Sequence, residues 1–137
     1  YPDGSVILSS NDMSKYICEL MKGYTGNGII LNKDSYKEYF TQQLKPENFI
    51  DRSTSEYSDE HNIGILMGFG STGNFGHTGG DPGMFSVIWF DKNTKMGRYF
   101  VINTDWDDKN SGKTQKEIYD ILDEYSIKLD KLSKEEE

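Results

Sequence analysis

The sequence has little cysteine, few hydrophobic residues and no long apolar run, and each shortage removes a class of protein. Cys18 is the one cysteine in 137 residues, so the chain cannot form an internal disulfide. No run reaches the roughly 18 consecutive apolar residues of a membrane span. No charged segment followed by an apolar one marks a secretory signal. The hydrophobic fraction is only 34%, but an aromatic fraction of 13% supplies large side chains for a core.

Positive charge is also scarce. The chain has 15 Lys and Arg against 23 Asp and Glu, which gives a net charge of -8 at pH 7. Because a negative surface repels phosphate groups, we expect neither a nucleic acid nor an anionic lipid surface as partner. The length favours a single domain over residues 1–132 that buries a core, followed by a charged tail over 133–137.

Two helices are predicted in the first half. In "SSNDMSKYICELMKG", Ser9 or Ser10 can cap the helix and Gly23 can end it. Its apolar residues recur along one face: Met13, Tyr16, Ile17, Leu20 and Met21. Cys18 lies within this pattern, so we expect a buried core residue rather than a reactive thiol. The second helix is predicted over 34–44, ending before Pro46, and its inward side chains are Tyr36, Tyr39 and Phe40.

The second half changes from helical spacing to strands rich in β-branched and aromatic residues. We predict strands in "NIGILMGFG", "MFSVIWFD" and "GRYFVINTD", the last two joined by a short antiparallel connection. The polar segment 45–60 is expected to be an exposed loop.

A long final helix is predicted in "TQKEIYDILDEYSIKLDKL", with a capping box of Thr114 and Glu117. Its apolar stripe, which can lie on the sheet, consists of Ile118, Ile121, Leu122, Tyr125, Leu129 and Leu132. Helices, then an antiparallel sheet of three to four strands, then a long helix are typical of an α+β fold.

Half of the chain's glycines lie in "GFGSTGNFGHTGGDPG", residues 68–83. Gly68, Gly70 and Gly73 form G-x-G-x-x-G after a strand, but a dinucleotide site requires a helix to begin there. The residues that follow, "NFGHTGGDPG", are too rich in glycine and proline for a helix. A nucleotide phosphate site is therefore not expected.

An acidic cluster precedes the last helix, in "NTDWDDKNSG". A calcium loop that began at Asp105 would need glycine at its sixth position and glutamate at its twelfth, where the chain has Asn110 and Lys116. We therefore interpret Asp105, Asp107 and Asp108 as part of a polar loop, and we expect no metal and no other cofactor.

The two histidines differ in their surroundings. His61 lies in a polar loop, where no functional role is expected. His77 and Thr78 are flanked by Gly76, Gly79 and Gly80. Glycine in a strand often marks the close approach of a ligand or of another backbone, so His77 and Thr78 are candidates for lining a binding cleft.

The stretch "GHTGGDPGMFSVIWFDKNTKMGRYFVINTD" resembles the third active-site motif and following strands of the serine β-lactamase and penicillin-binding protein superfamily. The likeness is greatest to its class C-like branch, which includes D-alanyl-D-alanine peptidases and esterases. There, K-T-G or H-T-G lies on a sheet-edge strand, followed by a glycine turn and two antiparallel strands ending in Asn, here Asn103. The opening "YPDGSVILSSNDMSKYICELMKG" resembles the segment before that motif, so the likeness runs in order from about Tyr1 to Tyr125.

The resemblance implies roles for four residues. His77 would be a polar or cationic partner for a substrate carboxylate or for a catalytic tyrosine. Thr78 would hydrogen-bond the substrate, with Gly79 beside it in the substrate-binding strand. The backbone N–H of Gly80 would be one of two oxyanion-hole donors. The glycines would then allow a substrate to lie against the strand edge.

The nucleophile of that superfamily is missing from the sequence. Neither S-x-x-K nor Y-x-N occurs, and S-x-N occurs as Ser9-Ser10-Asn11, where a helix cap is expected. The resemblance therefore implies the C-terminal part of a serine hydrolase of peptide, ester or β-lactam substrates, inactive alone, and the opening "YPDG" agrees with this. A non-catalytic binding or assembly module of the same fold and an unrelated α+β domain are the alternatives. Family members are commonly exported to the bacterial envelope, which makes the envelope or periplasm the implied location.

The superfamily also implies an open sheet edge, because its N-terminal strands pair beside the strand that corresponds to 98–104 here. An unpaired apolar edge attracts partners. We therefore expect a homodimer through the edge of strand 98–104, or cover by a rearranged segment.

Overall fold

The computed structural model describes residues 6–48, 62–70, 72–104 and 111–135. The helices are α1 (Ser10–Tyr24), α2 (Lys33–Tyr39) and α3 (Ser111–Glu135), with a 3-10 turn at Pro46–Asn48. The strands are β1 (Asn62–Ile63), β2 (Gly68–Phe69), β3 (Phe75–Asp81), β4 (Met84–Asp91) and β5 (Met96–Ile102). They form one five-stranded antiparallel sheet in the order β1-β2-β3-β4-β5. The predicted α+β class is confirmed, with one strand more than expected.

The chain folds as two compact units. One consists of Tyr1–Gly79 and Ser86–Val101, and the other of Gly80–Phe85 and Ile102–Glu137. The first unit holds α1, α2 and most of the sheet. The second holds the tip of the β3–β4 hairpin and α3.

Helix α1 begins where the sequence predicts, because Ser9 caps it. The Ser9 hydroxyl accepts a hydrogen bond of 3.1 Å from the backbone N–H of Asp12, and the Asp12 carboxylate lies in the first turn, near the positive end of the helix dipole. The capping interpretation of Ser9-Ser10-Asn11 is thus confirmed. Gly23 lies inside the last turn, and the helix ends at Tyr24.

The expectation that Cys18 is buried is wrong. Its side chain is exposed, whereas the apolar face of α1 buries Ile17, Leu20 and Met21. Adjacent helix residues are about 100° apart around the axis. Cys18 therefore points away from the face that its neighbour Ile17 buries.

Helix α2 is shorter than predicted. Asn32 caps its start by accepting a 2.8 Å hydrogen bond from the N–H of Ser35, and Phe40 is already the C-cap. The inward side chains are as expected, since Tyr36 and Tyr39 are buried and Phe40 is half-buried. Of the loop predicted after this helix, residues 49–60 lie outside the described part of the chain.

The stretch "NIGILMGFG" is a hairpin rather than one strand. Asn62 pairs with Phe69 in the β1–β2 ladder, and the N–H of Gly64 donates to the carbonyl of Met67 over 2.7 Å to close the turn. The buried Asn62 amide donates to the Leu44 carbonyl and accepts from the Leu44 N–H, at 2.7 and 3.0 Å. These two bonds join the segment after α2 to the start of the sheet.

One aromatic pair lies at the centre of the core. Phe75 of β3 and Phe90 of β4 are 1% and 0% exposed, and their rings stack with centroids 5.1 Å apart. Gly97 allows β5 to lie close to α1, because a Cβ there would come within 2.2 Å of Ile17 Cγ2. The buried cluster comprises Ile17, Leu20, Met21, Tyr39, Met67, Phe69, Phe75 and Phe90.

Helix α3 differs from its prediction at its start. It begins at Ser111, so Thr114 lies inside the first turn and the predicted capping box is wrong. Four members of the predicted apolar stripe are 54–61% exposed: Ile121, Tyr125, Leu129 and Leu132. The helix continues to Glu135, so the predicted charged tail begins as helix. None of the described helices is long and apolar enough to cross a membrane.

Glu19 of α1 fastens the loop between α1 and α2. Its Oε1 accepts hydrogen bonds from the Tyr36 hydroxyl at 2.6 Å and from the N–H groups of Ile29 and Ile30 at 2.6 and 3.1 Å. The Tyr36 hydroxyl, followed by the two amides, lowers the pKa of Glu19 below its ordinary range. Burial, and then the bond to Glu19, raise the pKa of Tyr36.

Replacing the buried ring of Phe90 by Ala should lower the free energy of unfolding by about 3–5 kcal/mol, because a cavity remains. The matched control is Val101→Ala, at a position that is 43% exposed, where we expect less than about 1 kcal/mol. Urea unfolding measures both. Equal losses for the two variants would contradict the assignment of the core.

Acid should release the loop that Glu19 holds. A depressed folded pKa means that the stabilisation is full above the unfolded value of about 4.3 and is lost as the pH falls through the lower folded pKa. Tyr36→Phe removes the largest cause of that shift, so it should move the titration of the Ile29 and Ile30 amide resonances to higher pH. An unchanged midpoint in an NMR pH titration of the variant would contradict this role of Tyr36.

Candidate functional site

The four residues proposed from the motif are consecutive on β3. His77, Thr78, Gly79 and Gly80 all lie within Phe75–Asp81, and all four are exposed. Because successive residues of a strand point to opposite faces, their common exposure means that both faces of the strand are open here. The structure thus brings the sequence-predicted residues together on one uncovered stretch of strand.

A tight turn sets the geometry of this strand. Only Pro82 and Gly83 separate Asp81 of β3 from Met84 of β4. Proline at the first central position followed by glycine at a φ of 78° is the pattern of a type II turn. Asp81 and Met84 therefore form the closing pair of the hairpin.

Contacts along the hairpin agree with the register that this turn sets. Counting back from the closing pair places Gly79 opposite Ser86 and Gly76 opposite Trp89. The Ser86 hydroxyl donates to the Gly79 carbonyl over 3.4 Å. A Cβ on Gly76 would lie 3.0 Å from the Trp89 Cα, as expected for directly opposed residues.

In this register, the backbone N–H groups of Thr78 and Gly80 point away from β4. In an antiparallel pair, alternate residues direct their N–H and C=O groups toward the partner strand and away from it. Gly79 faces β4, so the N–H groups of Thr78 and Gly80 point to the opposite side. There, β2 pairs only with Phe75 and Gly76. Within the described residues, no other segment hydrogen-bonds these two N–H groups.

Part of the glycine run is required by the fold itself. A Cβ on Gly76 would lie 2.2 Å from the Ile88 carbonyl oxygen and 2.6 Å from the Trp89 ring. Gly73 and Gly83 adopt φ values of 82° and 78°, which L side chains rarely adopt. These three glycines serve packing and turns.

Neither packing nor a turn requires glycine at Gly79 or Gly80 in the described chain. A Cβ on Gly79 would meet only the movable Ser86 hydroxyl at 2.9 Å, and one on Gly80 would have its nearest neighbour, the Met84 carbonyl oxygen, at 3.9 Å. No other described atom lies within 4 Å of that position.

His77 is oriented by its own strand. Its Nδ1 lies 2.5 Å from the Thr78 carbonyl oxygen. Because a carbonyl oxygen can only accept, Nδ1 carries the proton and donates it. Nε2 is then the free ring nitrogen, an acceptor in the neutral imidazole and a donor in the cation.

Other residues considered from the sequence do not join this strand. Asn103 lies just after β5 and is exposed. His61 and the acidic cluster of Asp105, Asp107 and Asp108 lie outside the described residues. Within the part of the chain that the structure describes, no three potential metal ligands come together.

The structure also contains a cleft that no motif indicated. It has a volume of about 410 Å³, lies where the end of α1 meets α2, and includes Tyr24, Lys33, Lys37 and Phe40 in its lining. The only signal in the sequence was the i, i+4 spacing of Lys33 and Lys37 beside aromatic residues. That spacing does not reveal a cleft, because the loop between the helices forms part of it.

Comparison of the chain with protein-family models, with curated proteins and with solved structures finds no match. The likeness to the serine β-lactamase superfamily therefore depends on the motifs quoted above and stays a prediction.

Alanine substitutions should separate the two kinds of glycine. Gly76→Ala forces a methyl group against backbone and the Trp89 ring, so the free energy of unfolding should fall by at least about 1–3 kcal/mol. Gly80→Ala has room for its methyl group and should change stability by less than about 1 kcal/mol. Urea unfolding of both variants measures this, and an equally large loss for Gly80→Ala would show that its surroundings are filled.

Proposed function

We propose that this chain provides the substrate-binding strand and one oxyanion donor of a β-lactamase-like serine hydrolase, which acts on peptide, ester or β-lactam acyl groups. Alone, the chain binds such substrates without hydrolysing them. The observation that carries the proposal is the edge of β3 at Thr78 and Gly80, with which no other strand of the described chain pairs.

An open strand edge can bind an extended substrate as an additional strand. Main-chain hydrogen bonds then give affinity, and nearby side chains give selectivity. The Thr78 N–H and hydroxyl are donors for an amide carbonyl or carboxylate of the substrate. His77 Nε2 adds a polar or cationic contact beside them.

The surroundings of Gly80 support the oxyanion role. Its N–H points out of the sheet edge, and among the described residues even a Cβ added here would have its nearest neighbour 3.9 Å away. A substrate carbonyl oxygen placed there would accept a hydrogen bond from the Gly80 N–H as negative charge develops on that oxygen. Loss of one such donor in acyl-transfer enzymes costs about 2.7–4 kcal/mol of transition-state stabilisation.

The order of the strands also supports the proposal. The resemblance places the third motif on a strand that is followed by two antiparallel neighbours. Here β3, β4 and β5 are adjacent in the sheet in that order. This order agrees with the resemblance, although neighbouring strands in a sheet are often consecutive in sequence.

The nucleophile has to come from other residues. No S-x-x-K occurs in the 137 residues, and removal of a catalytic serine lowers turnover on the order of 10⁶-fold. The same absence supports the alternative, in which the chain is a binding or assembly module of this fold that uses the β3 edge without catalysis.

We also propose that β5 pairs with a second copy of the chain. Strand β5 is the last strand of the described sheet, and its Val101 is 43% exposed. The resemblance implies that the N-terminal strands of the superfamily, which would lie beside this strand, are missing, and an edge without its partner strand favours strand addition. Sedimentation equilibrium should show a dimer that Val101→Lys weakens, and a monomer at every protein concentration would contradict the pairing.

Two variants at one position test the substrate edge. Gly80→Pro removes the outward N–H and is tolerated at an unpaired strand edge, whereas Gly80→Ala keeps the N–H. In NMR titrations with benzylpenicillin, we expect saturable shifts of the Thr78 amide resonance for the parent chain and for Gly80→Ala. Binding to Gly80→Pro should be at least tenfold weaker, because the loss of one hydrogen bond costs roughly 1.5 kcal/mol. Equal affinity of all three proteins would contradict the proposal.

Covalent labelling tests the absence of a nucleophile. After incubation with a fluorophosphonate or with labelled penicillin, the intact mass of the chain should be unchanged. A stoichiometric adduct would identify a reactive serine within these residues, and the chain would then be a catalyst in its own right.

A further inference from the structure

The cleft between α1 and α2 has a preformed aromatic wall. The Tyr24 and Phe40 rings meet edge to face, with centroids 5.3 Å apart and planes at 84°. Tyr36 stacks parallel to Phe40 at 6.3 Å. Tyr24 is 36% exposed, so part of this aromatic surface is open to a ligand.

The base of the wall is held in place by the backbone around Tyr36. A Cβ on Gly23 or Gly28 would lie 2.1 or 2.4 Å from the Tyr36 ring, so the two glycines close on it from both sides. The Tyr36 hydroxyl is bound to Glu19 at 2.6 Å. A ligand would therefore meet a rigid surface, and little conformational entropy would be lost on binding.

Two lysines line the same cleft. Lys33 and Lys37 are one turn apart on α2, and the ammonium group of neither makes a hydrogen bond or an ion pair with any residue that the structure describes. Among the described residues that line the cleft there is no aspartate or glutamate. The cleft is thus a local positive site on a chain whose net charge is -8.

The stability of α2 accounts for Lys37, which lies in the last turn, where the dipole favours a cation, but it does not account for Lys33. Lys33 is the first residue of the helix, where the dipole disfavours a cation. Lys33 and Lys37 also repel each other at i, i+4 spacing. Asp34 lies in the same first turn but forms no ion pair with either lysine within the described chain. Residues placed against such local rules often belong to a binding site.

We propose that this cleft binds a small aromatic anion. A flat ring packs against Tyr24 and Phe40, and its carboxylate or phosphate group accepts hydrogen bonds from Lys33 and Lys37. The anion also relieves the repulsion between the two ammonium groups. This site shares no residue with the β3 edge, so it stands apart from the proposed hydrolase role.

An NMR titration of the full chain tests the ligand class with three probes: phenyl phosphate, phenol and inorganic phosphate. The amide resonances of Gly26, Gly28 and Thr41 report on the cleft. Phenyl phosphate should give saturable shifts of these resonances. Half-saturation should need a concentration at least about tenfold lower than with phenol or inorganic phosphate, because the aromatic and ionic contacts act together. Equal affinity for inorganic phosphate, or no saturable shift with phenyl phosphate, would overturn the proposal.

Charge-matched variants test the two lysines. Lys33→Gln/Lys37→Gln should weaken phenyl phosphate about tenfold, the upper range for two exposed ion pairs. Lys45→Gln/Lys131→Gln changes the net charge by the same amount away from the cleft and should stay within about twofold of the parent affinity. Unshifted resonances elsewhere in the spectrum confirm that each variant is folded. Equal weakening by both pairs would mean that only net charge matters, and the cleft assignment would fail.

Discussion

The contact between Phe75 and Phe90 fixes the register of β3 against β4. That register positions the backbone groups of the candidate site on β3. Both rings are buried, and Phe75 also touches Tyr24, Phe40 and Phe69, so it joins both N-terminal helices to the sheet. Phe75 and Phe90 are opposed in the register that the Pro82–Gly83 turn sets. A slip by one residue would turn Phe75 out of the core, which makes the register energetically strict.

This strict register determines which backbone groups face the open edge. Because Phe75 must face the core, the alternation along β3 leaves the N–H groups of Thr78 and Gly80 outward. The glycines divide along the same line: Gly76 lies where β3 and the Trp89 ring come close, and Gly80 has no described atom nearer than 3.9 Å to an added Cβ. The proposed binding surface on β3 is therefore backbone, whereas the cleft beside α2 is lined by lysines and aromatic rings. The two proposed ligand classes differ because these two surfaces differ in chemistry.

Local signals in the sequence predicted much of the fold. The cap at Ser9 and the stripe of α1 indicated that helix, and the β-branched and aromatic run of β4 matches its observed strand from Met84 to Asp91. Other predictions failed where tertiary context decides. The 62–70 segment turns at Ile65 and Leu66, which carry no turn signal. The capping box at Thr114 was a local match inside a helix that starts earlier.

The sequence proposed the candidate site residues, but it did not predict their environment. The H-T-G motif pointed to His77 to Gly80, whereas the open edge beside them depends on β2 beginning at Gly68, opposite Gly76, which no local pattern specifies. The cleft depends on how the loop after α1 folds back onto Tyr36. The spacing of Lys33 and Lys37 was visible in the sequence, but only the fold of that loop places the two lysines in the lining of a cleft.

Amide hydrogen exchange along β3 tests the central claim most directly. If β3 pairs with β4 in the register described and its other edge is open beyond Gly76, the N–H of Gly79 is protected and those of Thr78 and Gly80 exchange rapidly. The account predicts this alternation, residue by residue, in the isolated chain. Protection of Gly80 equal to that of Gly79 would contradict it, because the proposed donor would then already be bonded within the fold.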